Sequence, residues 1–178
     1  MEVDLKFSAL ARFLTSPFVY ADLLGDIFRS CSEDMNVSDK TDIFLIRECL
    51  PEEAEALLTL WQAAGTSPSI TDTIADVHRA IESLGSVLVA EAHQRIVGSL
   101  IATFDGWRGN MYRLAVHPDY RRRGIGRALV AEGERCLAKQ GVKRITALVE
   151  EQYPWAIAFW SSVGYEIEPG ILRFFRNP

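Results

Sequence analysis

From Ile43 onward, short apolar runs alternate with stretches whose apolar residues recur every three or four positions. Ile43-Phe44-Leu45-Ile46 reads as a short strand. Pro51 is suited to the first turn of a helix, where its missing N–H costs nothing. Ala54, Leu57, Leu58 and Trp61 then share one face, and Gly65 closes the segment. A second helix is expected over 71–84, with Ile74, Val77, Ile81 and Leu84 on its apolar side and His78 and Arg79 turned away from it. Val87–Glu91 and Ile96–Ala102 read as strands joined by the four residues 92–95, short enough for a hairpin. A polar loop over 105–110 leads to a strand at 111–116, then a glycine-containing turn and a helix. Ile125, Leu129, Gly133 and Cys136 fall on one face of that helix, which ends near Gly141. A buried-looking strand over 144–149, a helix from Pro154 to Gly164, and two strands at 165–167 and 171–175 about Pro169-Gly170 complete the pattern. Strands alternating with helices, with hairpins on either side, predict an α/β or α+β fold: a mixed sheet covered by helices.

The run from Leu114 to Val130 carries the most chemistry. An apolar strand ends at Pro118, a short turn holds Gly124 and Gly126, and an amphipathic helix begins at once. Glycine lets a backbone bend and lets a ligand approach it closely. The first N–H groups of a helix have no intrahelical partner and lie at the positive end of its dipole, which suits a pyrophosphate. Arg121, Arg122, Arg123 and Arg127 add positive charge at the same place. No Gly-Lys-Ser/Thr follows, and the three-glycine dinucleotide fingerprint is absent.

Arg121-x-x-Gly124-x-Gly126 resembles the acetyl-CoA signature of the GNAT superfamily of N-acetyltransferases. Leu114-Ala115-Val116-His117-Pro118 is similar to the family's fourth strand. Ala156-Ile157-Ala158-Phe159-Trp160-Ser161-Ser162-Val163-Gly164-Tyr165 resembles its second signature helix. The resemblance covers about Ile43 to Phe175 and divides the chain into an N-terminal extension and linker, 1–42, and an acetyltransferase domain, 43–178. It implies a sheet splayed between its fourth strand, 111–116, and its fifth, 144–149, with helices on both faces and acetyl-CoA in the gap. Leu114, Ala115 and Val116 would hold the pantetheine arm and thioester through backbone groups. Residues Arg121, Arg122, Arg123, Gly124, Ile125, Gly126 and Arg127 would hold the pyrophosphate, and Phe159 and Trp160 would line the tunnel.

The implied reaction moves an acetyl group from acetyl-CoA to a primary amine by direct attack in a ternary complex, an acyltransferase of class EC 2.3.1.-. No Cys accompanies the motif in a nucleophile setting, which speaks against an acyl-enzyme. Many relatives have Tyr where this chain has Trp160, and that Tyr is the proposed acid for the leaving thiolate. An indole N–H only donates hydrogen bonds and is no acid at ordinary pH. Tyr153 lies where the family often has an Asn that contacts the cofactor. Glu150 and Glu151, just beyond the fifth strand, are the best-placed candidate bases. Glu91, Asp105 and His117 are weaker candidates. The loss of the motif Tyr also supports a rival reading, a CoA-binding regulatory module with no turnover.

The 178 residues suffice for one domain with a real core. A net charge of −5 argues against a general nucleic-acid binder. Three scattered cysteines (Cys31, Cys49, Cys136) and three histidines suggest neither a disulfide framework nor a metal site. They point to a reducing, cytoplasmic setting. No apolar stretch is long enough to span a membrane. The expected partner is a small-molecule amine or a protein or peptide amine, and a homodimer is left open. Residues 7–31 are rich in Phe, Leu and Ala but do not form a signal-peptide pattern, and Met35 offers an alternative start.

Overall fold

A computed structural model describes residues 43–83 and 85–177. The expected extension and linker, 1–42, lies outside the described residues. The unit from Asp42 to Pro178 is compact in itself.

Its elements follow the alternation closely. Strand β1 (Leu45–Glu48) leads to a 3-10 turn (Pro51–Glu53) and helix α1 (Ala54–Ala64). Helix α2 (Ile74–Ile81), strands β2 (Ser86–Ala92), β3 (Arg95–Phe104) and β4 (Gly109–Val116), a second 3-10 turn (Pro118–Tyr120), helix α3 (Ile125–Lys139), strand β5 (Ile145–Ala147) and helix α4 (Pro154–Ser162) follow. The sheet order is β1-β2-β3-β4-β5. The first three pairs are antiparallel and β4–β5 is parallel. This is the expected mixed sheet, with helices packed on both faces.

The near-continuous apolar run of β2 has a simple cause. Successive side chains point to opposite faces of a strand. Val87 and Val89 therefore pack under α1 and α2 with Leu57, Leu60, Trp61 and Val77. Leu88 and Ala90 pack under α3 with Ile125, Leu129 and Leu137. A strand covered on both sides loses its polar alternation. Each fully buried Leu of this kind contributes about 1.5–3 kcal/mol of transfer free energy.

Several boundaries differ from the sequence pattern. Helix α2 begins only at Ile74, because Thr73 takes the N-cap and accepts a hydrogen bond from Asp76 N–H. His78 lies off the apolar stripe as expected, but its Nε2 donates to Pro51 O at 2.9 Å. The hairpin after β2 is a two-residue turn, His93 and Gln94, both at positive φ. On α3 the stripe continues through Leu137, not Cys136: Ile125, Leu129, Gly133 and Leu137 recur every four residues and are all buried. Gly133 lets α3 lie close on the sheet there, since a Cβ would meet Leu100 Cδ2 at 2.8 Å and displace that side chain. Residues 165–175 form no strand. Gly170 does turn at φ +78, but Ile171-Leu172 and Phe174-Phe175 put apolar residues on both faces, so no single face drives pairing.

Arg47 ties β1 to β2 and to the first turn. It donates to both oxygens of Glu53, at 2.8 and 2.6 Å, and to Glu91 at 2.8 Å. The Arg47 hydrogen bond, with help from Leu50 N–H, holds the Glu53 carboxyl below the usual carboxylate range. A carboxyl with a depressed folded-state pKa contributes stability above its unfolded value and loses it as pH falls through the folded one. Glu53→Gln is accordingly expected to cost about 1 kcal/mol at neutral pH. The difference from the parent should shrink as the pH drops below 4.5. Urea unfolding at several pH values checks this; a difference independent of pH would sink it.

Candidate active site

The pairing of β4 with β5 covers only Gly109, Asn110 and Met111, opposite Ile145, Thr146 and Ala147. Beyond Met111, β4 continues to Val116 with no partner on that side among the described residues, so the two strands part. A cleft of about 1450 Å³ opens there, lined among others by Arg113, Val149, Glu150, Trp160 and Tyr165.

A bulge sets the free arm of β4. Ile101 pairs with Tyr112 and Ser99 with Ala115, so Arg113 and Leu114 together oppose Leu100. Arg113 takes φ +53. Past the bulge, His117 N–H donates to Val97 O at 2.8 Å, which fixes the ladder's alternation. Ala115 consequently bonds toward Ser99, while Leu114 and Val116 turn their N–H and C=O groups away from β3, toward the gap. Val116 O accepts from Arg121 Nε at 3.2 Å, as an outward carbonyl can.

The turn after β4 is built from left-handed residues, Arg122 at φ +65 and Gly124 at φ +81. Such a backbone gathers N–H groups into an anion-binding concavity. Gly124 is the N-cap of α3, makes no side-chain cap, and no acidic residue occupies the first helical turn. The first N–H groups of a fifteen-residue helix thus face an electropositive surface without a capping acceptor. An added Cβ at Gly124 would enter open space. At Gly126 it would meet the Phe159 ring at 3.2 and 3.3 Å. The two glycines therefore differ: one leaves the backbone open, the other lets α4 pack on α3.

The arginines also divide. Arg121 donates to Ala64 O at 2.8 Å and binds the end of α1 to the turn. Arg123 donates to Asp119 O at 2.7 Å and lies over the Tyr120 ring. Arg127 reaches Ser162 O at 3.3 Å. Arg122 is exposed, and Ile125 is a buried core residue of α3. Trp160 is 8% exposed and packs edge-on against Phe159 and Tyr165. Burial pushes the Tyr165 phenol far above its ordinary pKa.

On the other wall, Ser67 Oγ donates to Glu150 Oε2 at 3.0 Å and lies 3.1 Å from the Tyr153 hydroxyl. Arg113 donates to Ser67 O at 2.9 Å and to Asp72. Glu150 and Tyr153 are thus brought together, and Glu151 lies beside them, exposed. The weaker candidates are placed elsewhere. Glu91 is bound to Arg47. The Asp105 carboxylate accepts from Arg108 N–H and Trp107 N–H, which holds it below the usual range and makes it a turn residue. His117 caps the Pro118–Tyr120 turn and lines a separate cavity of about 360 Å³ with Arg95 and Arg123.

Ser67, Ser99 and Arg113 were not singled out in the sequence. The one signal was a charged residue inside Met111-Tyr112-Arg113-Leu114-Ala115-Val116, which breaks the alternation that a regular strand would keep. Among the described residues no group of three or more His, Cys, Asp or Glu could hold a metal ion. Nor is any described helix long and apolar enough to cross a membrane.

A mixed sheet parted at its fourth and fifth strands, with an uncapped helix end at the mouth of the gap, defines the class: an α/β fold with a glycine turn beside a free strand arm. Residues 51–165 match the model of the acetyltransferase (GNAT) family. The chain belongs to the GNAT family. An acetyltransferase of Pectobacterium atrosepticum is 35% identical over 122 residues, covering 68% of this chain and 86% of that protein. Among solved structures, an aminoglycoside acetyltransferase from an uncultured soil metagenomic sample, in complex with sisomicin, shares the fold. Its TM-score is 0.65 at 18% identity, covering 79% of this chain and 99% of the other. The PaiA N-acetyltransferase of Thermoplasma acidophilum in complex with coenzyme A also has a TM-score of 0.65 at 18% identity, covering 71% and 91%. The family and its relatives make this chain an acyltransferase of the acetyl-transferring kind.

Proposed function

We propose that the chain transfers an acetyl group from acetyl-CoA to a primary amine by direct attack in a ternary complex. The observation that carries the reading is the uncapped start of α3 at Gly124, set at the end of a strand arm that has no partner on its cleft side among the described residues. Bound acetyl-CoA would supply an activated acyl group with a thiolate as leaving group.

The N–H groups from Arg121 to Arg127 take the pyrophosphate, with Arg122 and its neighbours adding charge. Leu114 and Val116 offer outward N–H and C=O groups, with which a pantetheine amide pairs as an added strand would. A backbone N–H of this arm also polarises the thioester carbonyl as negative charge grows on its oxygen. Ala115 supports the arm from within the ladder, and Phe159 and Trp160 close the tunnel. The amine approaches from the wall of Ser67, Glu150, Glu151 and Tyr153. An ammonium has no lone pair, so a proton must leave before attack. Glu150, directly or through a water, takes it. Nitrogen bonds to the carbonyl carbon, the carbon–sulfur bond breaks, and the thiol leaves carrying one proton. Tyr153 is the hydroxyl within reach on that wall; Trp160 offers no acid.

The soil enzyme bound to sisomicin supports a small-molecule amine as acceptor here, with protein and peptide amines as the alternative. The test is thiol release from acetyl-CoA across a broad amine panel. At least one amine should raise release well above the rate without amine. Binding of CoA with no amine raising the rate would favour a CoA-binding module without turnover. For the acceptor found, Glu150→Gln should lower kcat about a hundredfold and leave CoA affinity unchanged.

A further inference from the structure

Ser99 is the one fully buried polar residue among those described, at 0% exposure. A buried hydroxyl needs partners, and it has two. It accepts from Trp61 Nε1 at 2.9 Å and donates to Arg113 O at 3.0 Å. That carbonyl belongs to a bulge residue, which the register shift between Ser99 and Ile101 leaves without a one-to-one partner on β3. The Arg113 guanidinium in turn lies over the Trp61 ring, 5.1 Å from its centroid. Three residues from α1, β3 and β4 thus close a ring of contacts around one peptide.

The arrangement holds an unfavourable conformation. A non-glycine residue at φ +53 is strained, and Gly would take that conformation freely. Arg is present, and its side chain has a use that Gly could not serve: it binds Ser67 O and Asp72, on the loop between α1 and α2. Ser67 is the residue that reaches Glu150 and Tyr153. The backbone of Arg113 aims the Leu114 N–H at the gap, and its side chain holds the opposite wall.

We infer that Arg113, clamped by Ser99 and Trp61, is a positioning residue that sets the acyl-binding arm of β4 in register with the amine-side wall of the cleft. This rests on the acetyl-transfer reading above. The clamp makes one peptide the common reference for both reactants. A shift of the bulge would move the carbonyl-binding N–H and the Ser67 loop together.

The test compares ¹⁵N-labelled full-length protein saturated with CoA and with acetyl-CoA. The two ligands differ only in the acetyl group, so the difference in the Leu114 amide shift reports the carbonyl grip. In the parent that difference should be present and should extend to the Trp61 indole N–H and the Asp72 amide. Ser99→Ala should lose the Leu114 difference while still binding CoA at the separate turn. Arg113→Gly keeps the left-handed bulge and should retain the Leu114 difference but lose the one at Asp72. Arg113→Lys, which keeps a cation for Asp72, should restore part of it. Arg113→Gly keeps the inference falsifiable if Ser99→Ala does not fold. The inference is overturned if Ser99→Ala retains the Leu114 difference, or if Arg113→Gly retains the Asp72 difference. A parent that binds CoA but shows no Leu114 difference also overturns it. A parent that binds neither ligand overturns the acetyl-transfer reading as well.

Discussion

Trp160→Ala should lower the stability of the domain by about 3–5 kcal/mol, the usual range for deleting a large buried aromatic side chain. The ring is almost wholly buried and packs between Phe159 and Tyr165, with ring centroids 5.6 and 4.8 Å away. Folded domains hold only about 5–15 kcal/mol in total, so the loss should be plain in urea unfolding. The same cavity borders the cleft, and CoA affinity should fall with it. Trp160→Phe retains much of the ring area and should keep both the fold and most of the turnover. Trp160→Tyr introduces a hydroxyl at the same place; it raises turnover only if protonation of the leaving thiolate limits the rate. A Trp160→Phe protein that folds and binds CoA normally but has no turnover would refute the purely packing role, since with fold and CoA site intact the lost indole N–H is the remaining cause.

The second large effect separates the two glycines of the turn. Gly126→Leu should cost about 1–3 kcal/mol of stability before any ligand is added, because overpacking displaces neighbours. The neighbour here is the Phe159 ring, already within 3.2 Å of where a Cβ would stand. Gly124→Asn should cost little stability, since Asn visits the left-handed region and the position faces open space. Both variants should nonetheless lose CoA affinity about a hundredfold, about 2.7 kcal/mol. The first does so by moving α4 away from the turn, the second by putting atoms where the pyrophosphate must lie. Calorimetry with CoA and thermal unfolding of the free protein resolve the two. If Gly124→Asn binds CoA as tightly as the parent, the pyrophosphate does not lie on this backbone.

Local signals in the sequence were enough for much of the fold and for the turn proposed to take the pyrophosphate. Pro51, Gly65, Gly124 and Pro154 mark element ends because each restricts or frees the backbone at its own position. The left-handed turn before α3 was legible for the same reason: its N–H groups and its glycine are neighbours in the chain. The amine-side wall was only partly legible. Glu150 and Tyr153 were visible as residues that follow the fifth strand. Ser67, which bonds one and lies within hydrogen-bond distance of the other, is more than eighty positions away. Cys136 was placed on the apolar face of α3 by three-and-four spacing, yet the helix buries Leu137 instead. Spacing alone does not fix a helix's rotation; the sheet beneath it does. The strands expected at 165–167 and 171–175 failed similarly, since strand formation needs a partner edge and the parallel contact with β5 runs for only three residues.

The sequence by itself determined the alternation of elements, the hairpin after β2, and the glycine turn with its arginines. All of these rest on interactions within a few residues or on the period of a helix or strand. Only the tertiary structure decided where β4 leaves β5, that Arg113 is a bulge residue, and that Ser99 is the buried link between it and Trp61. It also decided that Gly126 serves helix packing and Gly124 serves an open backbone. Those facts depend on which atoms meet across as many as 38 positions of chain, as Trp61 and Ser99 do. A residue's type states what it can bond to; the assembled sheet determines what comes within reach.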